Sequence, residues 1–384
     1  MRQAKLGVGM AGLALLCATV AWGNGPGPKA VLVHSKFGGQ IYGFDIDQNG
    51  TEGVLSEARD IGGDRVLAAV ETFDQATGAI LKVVKKIQSK DDFLTLGVVG
   101  AGIGLVEREH VHTLYVTRRI YEEINPLSAN EFTGTWNAPL KTSDIIRDTS
   151  RIQGAGTTAF YGIHNKGPGK GFVIGSDVGA GTFGPLITLN DPVFATCCGA
   201  VLAYDSATND AVVASATGEV GGPAPVIALA NLATGQVTEF TGLLGPAPYH
   251  QGFVNGIAVD SEKGIACTTT ELDFRVEFYD LKKESGFAVV LPGATSQLQS
   301  GSDVEYDPVN KLFLVAQSVS STAGSGSSIQ VYDTKGNLVE SLNGFSFSNA
   351  SNVIGTHIAL HPADRSGYVD GPDAGVTELQ AFTY

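Results

Sequence analysis

Cysteine, tryptophan and methionine are scarce in this chain, with four, two and two among 384 residues. Four cysteines are too few for a disulfide-built scaffold, so the fold has to rest on a hydrophobic core. The length is ample for a large one. Beyond the first twenty-odd residues no apolar run is long enough for a membrane-spanning helix. Helix-forming runs are equally sparse, and residues 144–151 are the one stretch that reads as a turn or two of helix. Positive charge is in deficit, with 25 Lys and Arg against 39 Asp and Glu. That balance repels phosphate backbones and argues against nucleic acid as a partner. The GxSxG elbow, HExxH, the P-loop and paired CxxC motifs are all missing. GAGIG (100–104) follows an apolar run but has no βαβ setting, so it reads as a turn.

Glycine, by contrast, is plentiful at 50 residues, which favours tight turns and short strands. The chain opens with basic MRQAK, an apolar stretch from Leu6 to Val20, and small residues at 21–23. This is the pattern of a secretory signal peptide over 1–23, cut near Gly23/Asn24. Cys17 does not suit lipoprotein processing, because Leu16 stands before it. Losing Arg2 and Lys5 would leave 23 basic against 39 acidic side chains, a net charge of −16. The expectation is a secreted or periplasmic protein with one domain over 24–384.

VNGIAVDSEKGIACTTT (254–270) is an apolar run, an acidic turn and a second run. CGAVLAYDSATNDAVVASATG (198–218), GSDVEYDPVNKLFLVAQS (301–318) and THIALHPADRSGYVDG (356–371) repeat it. VLAAVETFDQATGAILKVV (66–84) and IGLVEREHVHTLYV (103–116) read as looser copies. Asp at the end of the first strand can hold the backbone two residues on, and Gly or Asn tolerates a left-handed turn. Further strand–turn–strand units follow each pair: VIALANLATGQVTEF (226–240), VEFYDLKKESGFAVVL (276–291) and IQVYDTKGNLVESL (329–342). Four strands per unit, with turn aspartates spaced 55, 47 and 54 residues apart up to His361, point to an all-β propeller. Dividing the length by about 50 predicts seven blades. N-terminal strands placed in the last blade would close the ring and remove two open edges. A β-sandwich would not repeat the unit at near-constant intervals.

Asn255-Gly256-Ile257-Ala258-Val259-Asp260 resembles the strand opening of NHL-repeat and gluconolactonase-like propellers. The segment from Val331 to Leu338 is similar to a turn of the same group and of YVTN-type surface propellers. The likeness covers residues 198–384 well and the first half loosely. It implies a fold far more than an activity.

First strands line a propeller's channel, and aligning the repeats on Asp260 puts Asn255, Ser302 and Thr356 in one row. Gly256, Asp303 and His357 form the next. Asn255, Asp303 and His357 together offer ligands for a divalent cation such as Ca²⁺ or Zn²⁺. The gluconolactonase-like resemblance implies a metal held by Glu, Asn and Asp. Here its glutamate has no counterpart, since Glu107 stands at the wrong end of its strand. The alternative is that these polar groups tie strands together and bind channel water. Among the histidines, His110 and His112 share one face of a strand. His164, His250, His357 and His361 stand near strand ends, with His361 in the Asp position of a turn. His250, on the loop entering the Asn255 unit, is the candidate catalytic group to test first.

Cys197, Cys198 and Cys267 are the disulfide candidates. The first two can bridge each other only through a distorted peptide; otherwise one of them pairs with Cys267. Quinoprotein dehydrogenases carry a vicinal disulfide in a propeller, but this chain lacks their tryptophan docking motifs, so no cofactor is assigned. The functional expectation is an exported binding or interaction module whose ligand, a small molecule or an extracellular protein, sits at the channel mouth. The alternatives are a metal-dependent hydrolase or lactonase and an extracellular redox enzyme.

Overall fold

The computed structural model describes most of residues 26–86 and 187–384 with their side chains, and the backbone of the strands between them. Excluded in the second half are 196–200, 217–224, 245–253, 271–272, 295–299, 318–326, 346–356 and 371–377. Residues 1–25, which hold the expected signal peptide, lie outside the described residues.

β1 (Gly27–His34) leads into sheet 1, made of β2 (Gln40–Ile46), β3 (Glu52–Asp60), β4 (Val66–Asp74) and β5 (Ile80–Ser89). Sheet 2 holds β6 (Ile103–Arg108), β7 (Val111–Arg118), β8 (Glu123–Ser128) and β9 (Leu140–Lys141). Sheet 3 gathers β10 (Ile146–Thr149), β11 (Gln153–Ala155), β12 (Thr158–Asn165), β13 (Phe172–Gly179), β14 (Thr182–Phe183) and β15 (Ile187–Thr188). A short 3-10 turn at Pro192–Ala195 precedes sheet 4, β16 (Val201–Asp205), β17 (Asp210–Ser215), β18 (Val226–Asn231) and β19 (Val237–Phe240). Sheet 5 is β20 (Val254–Asp260), β21 (Ile265–Thr270), β22 (Arg275–Asp280) and β23 (Ser285–Val290). Sheet 6 is β24 (Gly301–Asp307), β25 (Leu312–Gln317), β26 (Ser327–Asp333) and β27 (Leu338–Phe345). Sheet 7 is β28 (Ile358–His361), β29 (Ser366–Asp370) and β30 (Glu378–Thr383), with β1 added at its outer edge.

All these pairings are antiparallel, and β1 pairs with β30 from Gly27 opposite Thr383 to His34 opposite Glu378. One N-terminal strand therefore closes the array, where the sequence suggested more than one. First strands touch in the order β2, β6, β11, β16, β20, β24, β28 and back to β2. The cores follow the same circuit. Sheets 4 and 5 share Ala203, Val212, Ile227, Ile257, Val259 and Tyr279. Sheets 5 and 6 share Cys267, Phe278, Val304, Phe313 and Tyr332. Sheets 6 and 7 meet at Leu314, Val331, Ile358 and Phe382, and sheet 7 returns to sheet 1 through Tyr368, Leu379, Leu55 and Phe73. A sheet sandwiched between two others has no wet face. Asp210–Ser215 and Leu312–Gln317 are accordingly buried at every position, as expected for strands covered on both sides.

The turn aspartates do what the repeat asks. Asp260 Oδ1 accepts the N–H groups of Glu262 and Lys263 at 3.1 and 3.3 Å. Asp307 Oδ1 holds those of Val309 and Asn310 at 2.8 and 2.9 Å. Asp205 holds Ala207 at 3.0 Å. A second Asp or Asn series, at the turn between third and fourth strands, does the same at Asp74, Asn231, Asp280 and Asp333. Residues 66–84, read as a first hairpin, belong to this second series: β4 and β5 are the third and fourth strands of sheet 1. Residues 144–151 are corrected too, since Ile146–Thr149 forms a strand paired with β12. No described helix is long and apolar enough to cross a membrane.

Tyr384 supplies one of the bonds between sheets. Its hydroxyl donates to Asp307 Oδ2 of sheet 6 at 2.8 Å, and burial together with that carboxylate holds its pKa far above the usual phenol value. Asn310 Nδ2 also donates to Asp307 Oδ2, at 2.7 Å, so the carboxylate keeps a partner if the hydroxyl is removed. Tyr384→Phe is therefore expected to lower stability by only about 0.5–1.5 kcal/mol, read as a shift of the urea midpoint with an unchanged slope.

Candidate functional site

Three of the first strands, in sheets 1, 5 and 6, share a defect at one position. In β20 the register with β21 slips between Val254 and Gly256, and in β24 the same slip lies between Gly301 and Asp303. β2 slips against β3 between Ile41 and Gly43. The extra residues are Tyr42, Asn255 and Ser302, each five residues before the turn aspartate of its unit. A bulge re-aims a side chain and twists its strand. In these three sheets it lies where the first strands begin, at one end of the channel.

At that end Asn255 and Asp303 reach across to the next sheet. Asn255 Nδ2 donates to Gly301 O of β24 at 3.3 Å. Asp303, 3% exposed, accepts the Ile358 N–H of β28 with Oδ2 at 3.0 Å. Its other oxygen crowds β20, because a Cβ placed on Gly256 would lie 2.6 Å from Asp303 Oδ1 and 2.7 Å from the Val304 nitrogen. Glycine at 256 is therefore a matter of close approach between first strands. Three consecutive sheets, 5, 6 and 7, are tied through this row.

His357 directly precedes the Ile358 amide that Asp303 holds and is half-buried. The structure thus places Asp303 on β24 and His357 directly before the adjoining β28, with Asn255 on β20. Among the described residues no group of three or more His, Cys, Asp or Glu is arranged to hold a metal ion. Thr356 and His250 lie outside the described residues, as do His110, Cys197 and Cys198. His112 is on β7, opposite Glu107, and His164 is on β12 opposite Phe172. His361 Nδ1 lies 3.0 Å from Asp364 Oδ1 inside its turn. Cys267 is a free thiol, fully buried in β21 between Ala258 and Phe278. Desolvation, helped by the charge of Glu277, pushes its pKa well up. A buried thiol of that kind is inert. The Cys267 side chain packs in the apolar layer between sheets 5 and 6.

Sequence reasoning missed a set of buried acids and amides in the middle strands. Glu71, Glu277 and Gln330 each lie three residues before the turn residue that ends a third strand, Asp74, Asp280 or Asp333. Glu277 Oε2 accepts the hydroxyls of Thr268 and Tyr279, both at 2.9 Å, and burial, followed by the carboxylate, holds the Tyr279 pKa well above that of a free phenol. On the second strands, Glu57, Ser215 and Gln317 occupy the matching place and hold the segment that leads into their own sheet. Glu57 takes the Phe37 and Gly39 amides at 2.9 and 2.6 Å. Ser215 donates to Val193 O at 3.3 Å, and Gln317 to Pro292 O at 3.1 Å. A polar residue at a fixed offset before the turn in an otherwise apolar strand was the available signal.

By sequence, the chain matches no family model and no curated protein. By structure it is similar to many solved chains. One from a crystal structure of the mitotic checkpoint complex superposes with a TM-score of 0.62 at 10% identity, over 100% of this chain and 98% of that one. The WD40 repeats of RRP9 give 0.62 at 10% identity over 94% and 99%. A chain of Kuenenia stuttgartiensis hydrazine synthase gives 0.58 at 12% identity over 96% and 99%. At such identities the likeness is one of fold alone, and it does not single out the NHL or gluconolactonase-like group. The chain is a β-propeller.

Proposed function

We propose that this propeller is an interaction module, exported from the cell, that binds a partner at the channel mouth where Asn255, Ser302 and His357 lie. The observation that carries the reading is the bulge repeated at Tyr42, Asn255 and Ser302. The described turns at the opposite end are short and tied down by their own Asp and Asn side chains, which leaves little to adapt to a ligand. Propellers that match over nearly the whole chain, such as the RRP9 WD40 repeats, lend support, since repeat propellers commonly present loops at a mouth to other proteins. A metal-dependent hydrolase is the rival reading, resting on Asp303 of β24 and on His357, which directly precedes the neighbouring β28.

A photo-crosslinking side chain at position 357, compared with one at 309 on the far turns, tests the reading in the full chain. Val309 is 64% exposed, so the control site is open. A discrete protein adduct from 357, absent from 309 and reduced at least tenfold by Asn255→Arg, is the expected result. Adducts of equal yield from both sites would defeat it. In parallel, a thermal shift with Ca²⁺ or Zn²⁺ that chelator reverses and Asp303→Ala abolishes would move the assignment to the metal enzyme, because an ion bound to the native state stabilises it by mass action.

A further inference from the structure

Ser35–Gly39 joins β1 of the closing sheet to β2 of sheet 1, at the seam of the ring. Two glutamates from the middle strands of sheet 1 hold it. Glu57 Oε1 and Oε2 accept the Phe37 and Gly39 amides at 2.9 and 2.6 Å, and Glu71 Oε2 accepts the Lys36 amide at 2.9 Å. Both are buried, at 1% and 0% exposure. Glu57 lies opposite Ala69 and Glu71 opposite Leu55, so they are diagonal neighbours on one face. Glu71 Oε1 is buried with no hydrogen-bond partner among the described atoms, beside the Glu57 carboxyl.

Sheet 6 carries an uncharged version of the same pair. Gln317 lies opposite Ser328, two residues before Gln330, as Glu57 lies opposite Ala69, two residues before Glu71. There Gln330 Nε2 donates to Gln317 Oε1 at 2.8 Å, and Gln317 Nε2 in turn holds Pro292 O at 3.1 Å. The repeat geometry therefore seats a hydrogen between the two side chains. In sheet 1 that hydrogen has to be a proton, because two carboxylates have none to share and repel in a low dielectric.

We propose that Glu57 and Glu71 share one proton as an acid–carboxylate pair, and that this proton latches the Ser35–Gly39 seam, which loosens when the proton leaves. Burial first, and the neighbouring Glu57 carboxyl after it, push Glu71 up to about 7, against the Lys36 amide and ammonium, which lower it. The charged groups around the pair are few among the described residues. Lys36 stands on the loop, and Lys86 of β5, in register with Ala69, lies 4.5 Å over the Phe37 ring. Asp45 of β2 is opposite Val54, toward the far end, and binds its own Ile46 amide. From sheet 7, His34 pairs with Glu378 at 3.4 Å and is largely exposed, and Tyr368, raised to about 12 by burial, does not titrate near neutrality.

The sign follows from which state binds the proton. With the latch closed the pair keeps its proton up to about pH 7, whereas an opened or unfolded Glu71 loses it near the ordinary glutamate value of 4.5. Stability from the pair is full below that lower value, falls as pH rises toward 7, and is flat above. The turn aspartates with lowered pKa, such as Asp74 and Asp333, act in the opposite sense and only in acid.

Hydrogen exchange of the full chain, corrected for intrinsic rates, reads the latch directly at the Lys36, Phe37 and Gly39 amides. Their protection is expected to fall about tenfold per pH unit between pH 5 and 7, one proton's worth. Glu71→Gln, which copies Gln330, is expected to keep protection and lose the slope. Flat protection in the wild type, or an undiminished slope in the variant, overturns the proposal. Should the variant not fold, difference infrared spectra of the wild type between pH 5.5 and 8 decide alone. A neutral carboxyl band lost across that range is the expected result, and its absence at pH 5.5 overturns the shared proton.

Discussion

Truncating Phe278 to alanine is expected to lower the unfolding free energy by about 3–5 kcal/mol, the largest effect of any change considered for this chain. Phe278 is fully buried in β22. Its ring stacks on Phe287 at 5.2 Å and 12°, and meets Phe313 and Tyr332 edge-on at 5.8 and 5.9 Å. Phe313 and Tyr332 belong to sheet 6, so this one side chain fills the layer between two sheets. Its loss leaves a cavity that rigid strands on both sides cannot close, and the cavity adds to the lost transfer energy. Phe287→Ala makes the contrast, because that ring is 44% exposed and its removal only strips one face of Phe278; a loss below about 1.5 kcal/mol is expected. Urea midpoints at constant slope measure both. Equal effects from the two would mean that the layer between sheets 5 and 6 is not packed as a unit.

How much of this was legible beforehand depends on the range over which each feature is determined. The Asp260, Asp307 and Asp205 turns were legible because an aspartate and the amides it holds lie within three residues of one another. The repeat of that local rule revealed the propeller. Residues 66–84 were assigned to the wrong turn for the same reason: Asp74 and Asp260 obey one rule, and nothing within the turn says which pair of strands it joins. Asn255, in one row of the aligned repeats, and Asp303 and His357, in the next, were found by that alignment, and the structure places them on or directly before first strands of three consecutive sheets. What Asp303 holds, the Ile358 amide 55 residues on, depends on how neighbouring sheets stand against each other, which no local pattern specifies. The Glu57–Glu71 pair was passed over because two acids 14 residues apart look like ordinary surface charge until register places them on one buried face. Lined up on Asp74, Asp280 and Asp333, the three polar residues in third strands would have shown it.

Gly256→Ala tests whether the first strands are as close as the bulged row requires. The new methyl would sit 2.6 Å from Asp303 Oδ1, 2.7 Å from the Val304 nitrogen and 2.8 Å from Asp303 Cα. The carboxylate can turn away; the two backbone atoms belong to β24 and cannot, so the strands must part. A loss of about 1–3 kcal/mol is expected, as for overpacking elsewhere in well-filled cores. Asp303→Ala alone should cost about 1–3 kcal/mol as well, by leaving the buried Ile358 amide without its acceptor. The double variant separates the causes. If the methyl clashes mainly with the carboxylate, removing Asp303 restores most of what Gly256→Ala loses. The backbone contacts predict little rescue, with the two losses adding to within about 0.5 kcal/mol. Full rescue would mean that β20 and β24 stand farther apart than described, with the carboxylate alone filling the gap. Asn255 would then no longer reach Gly301, and the polar row would not be drawn together at the mouth.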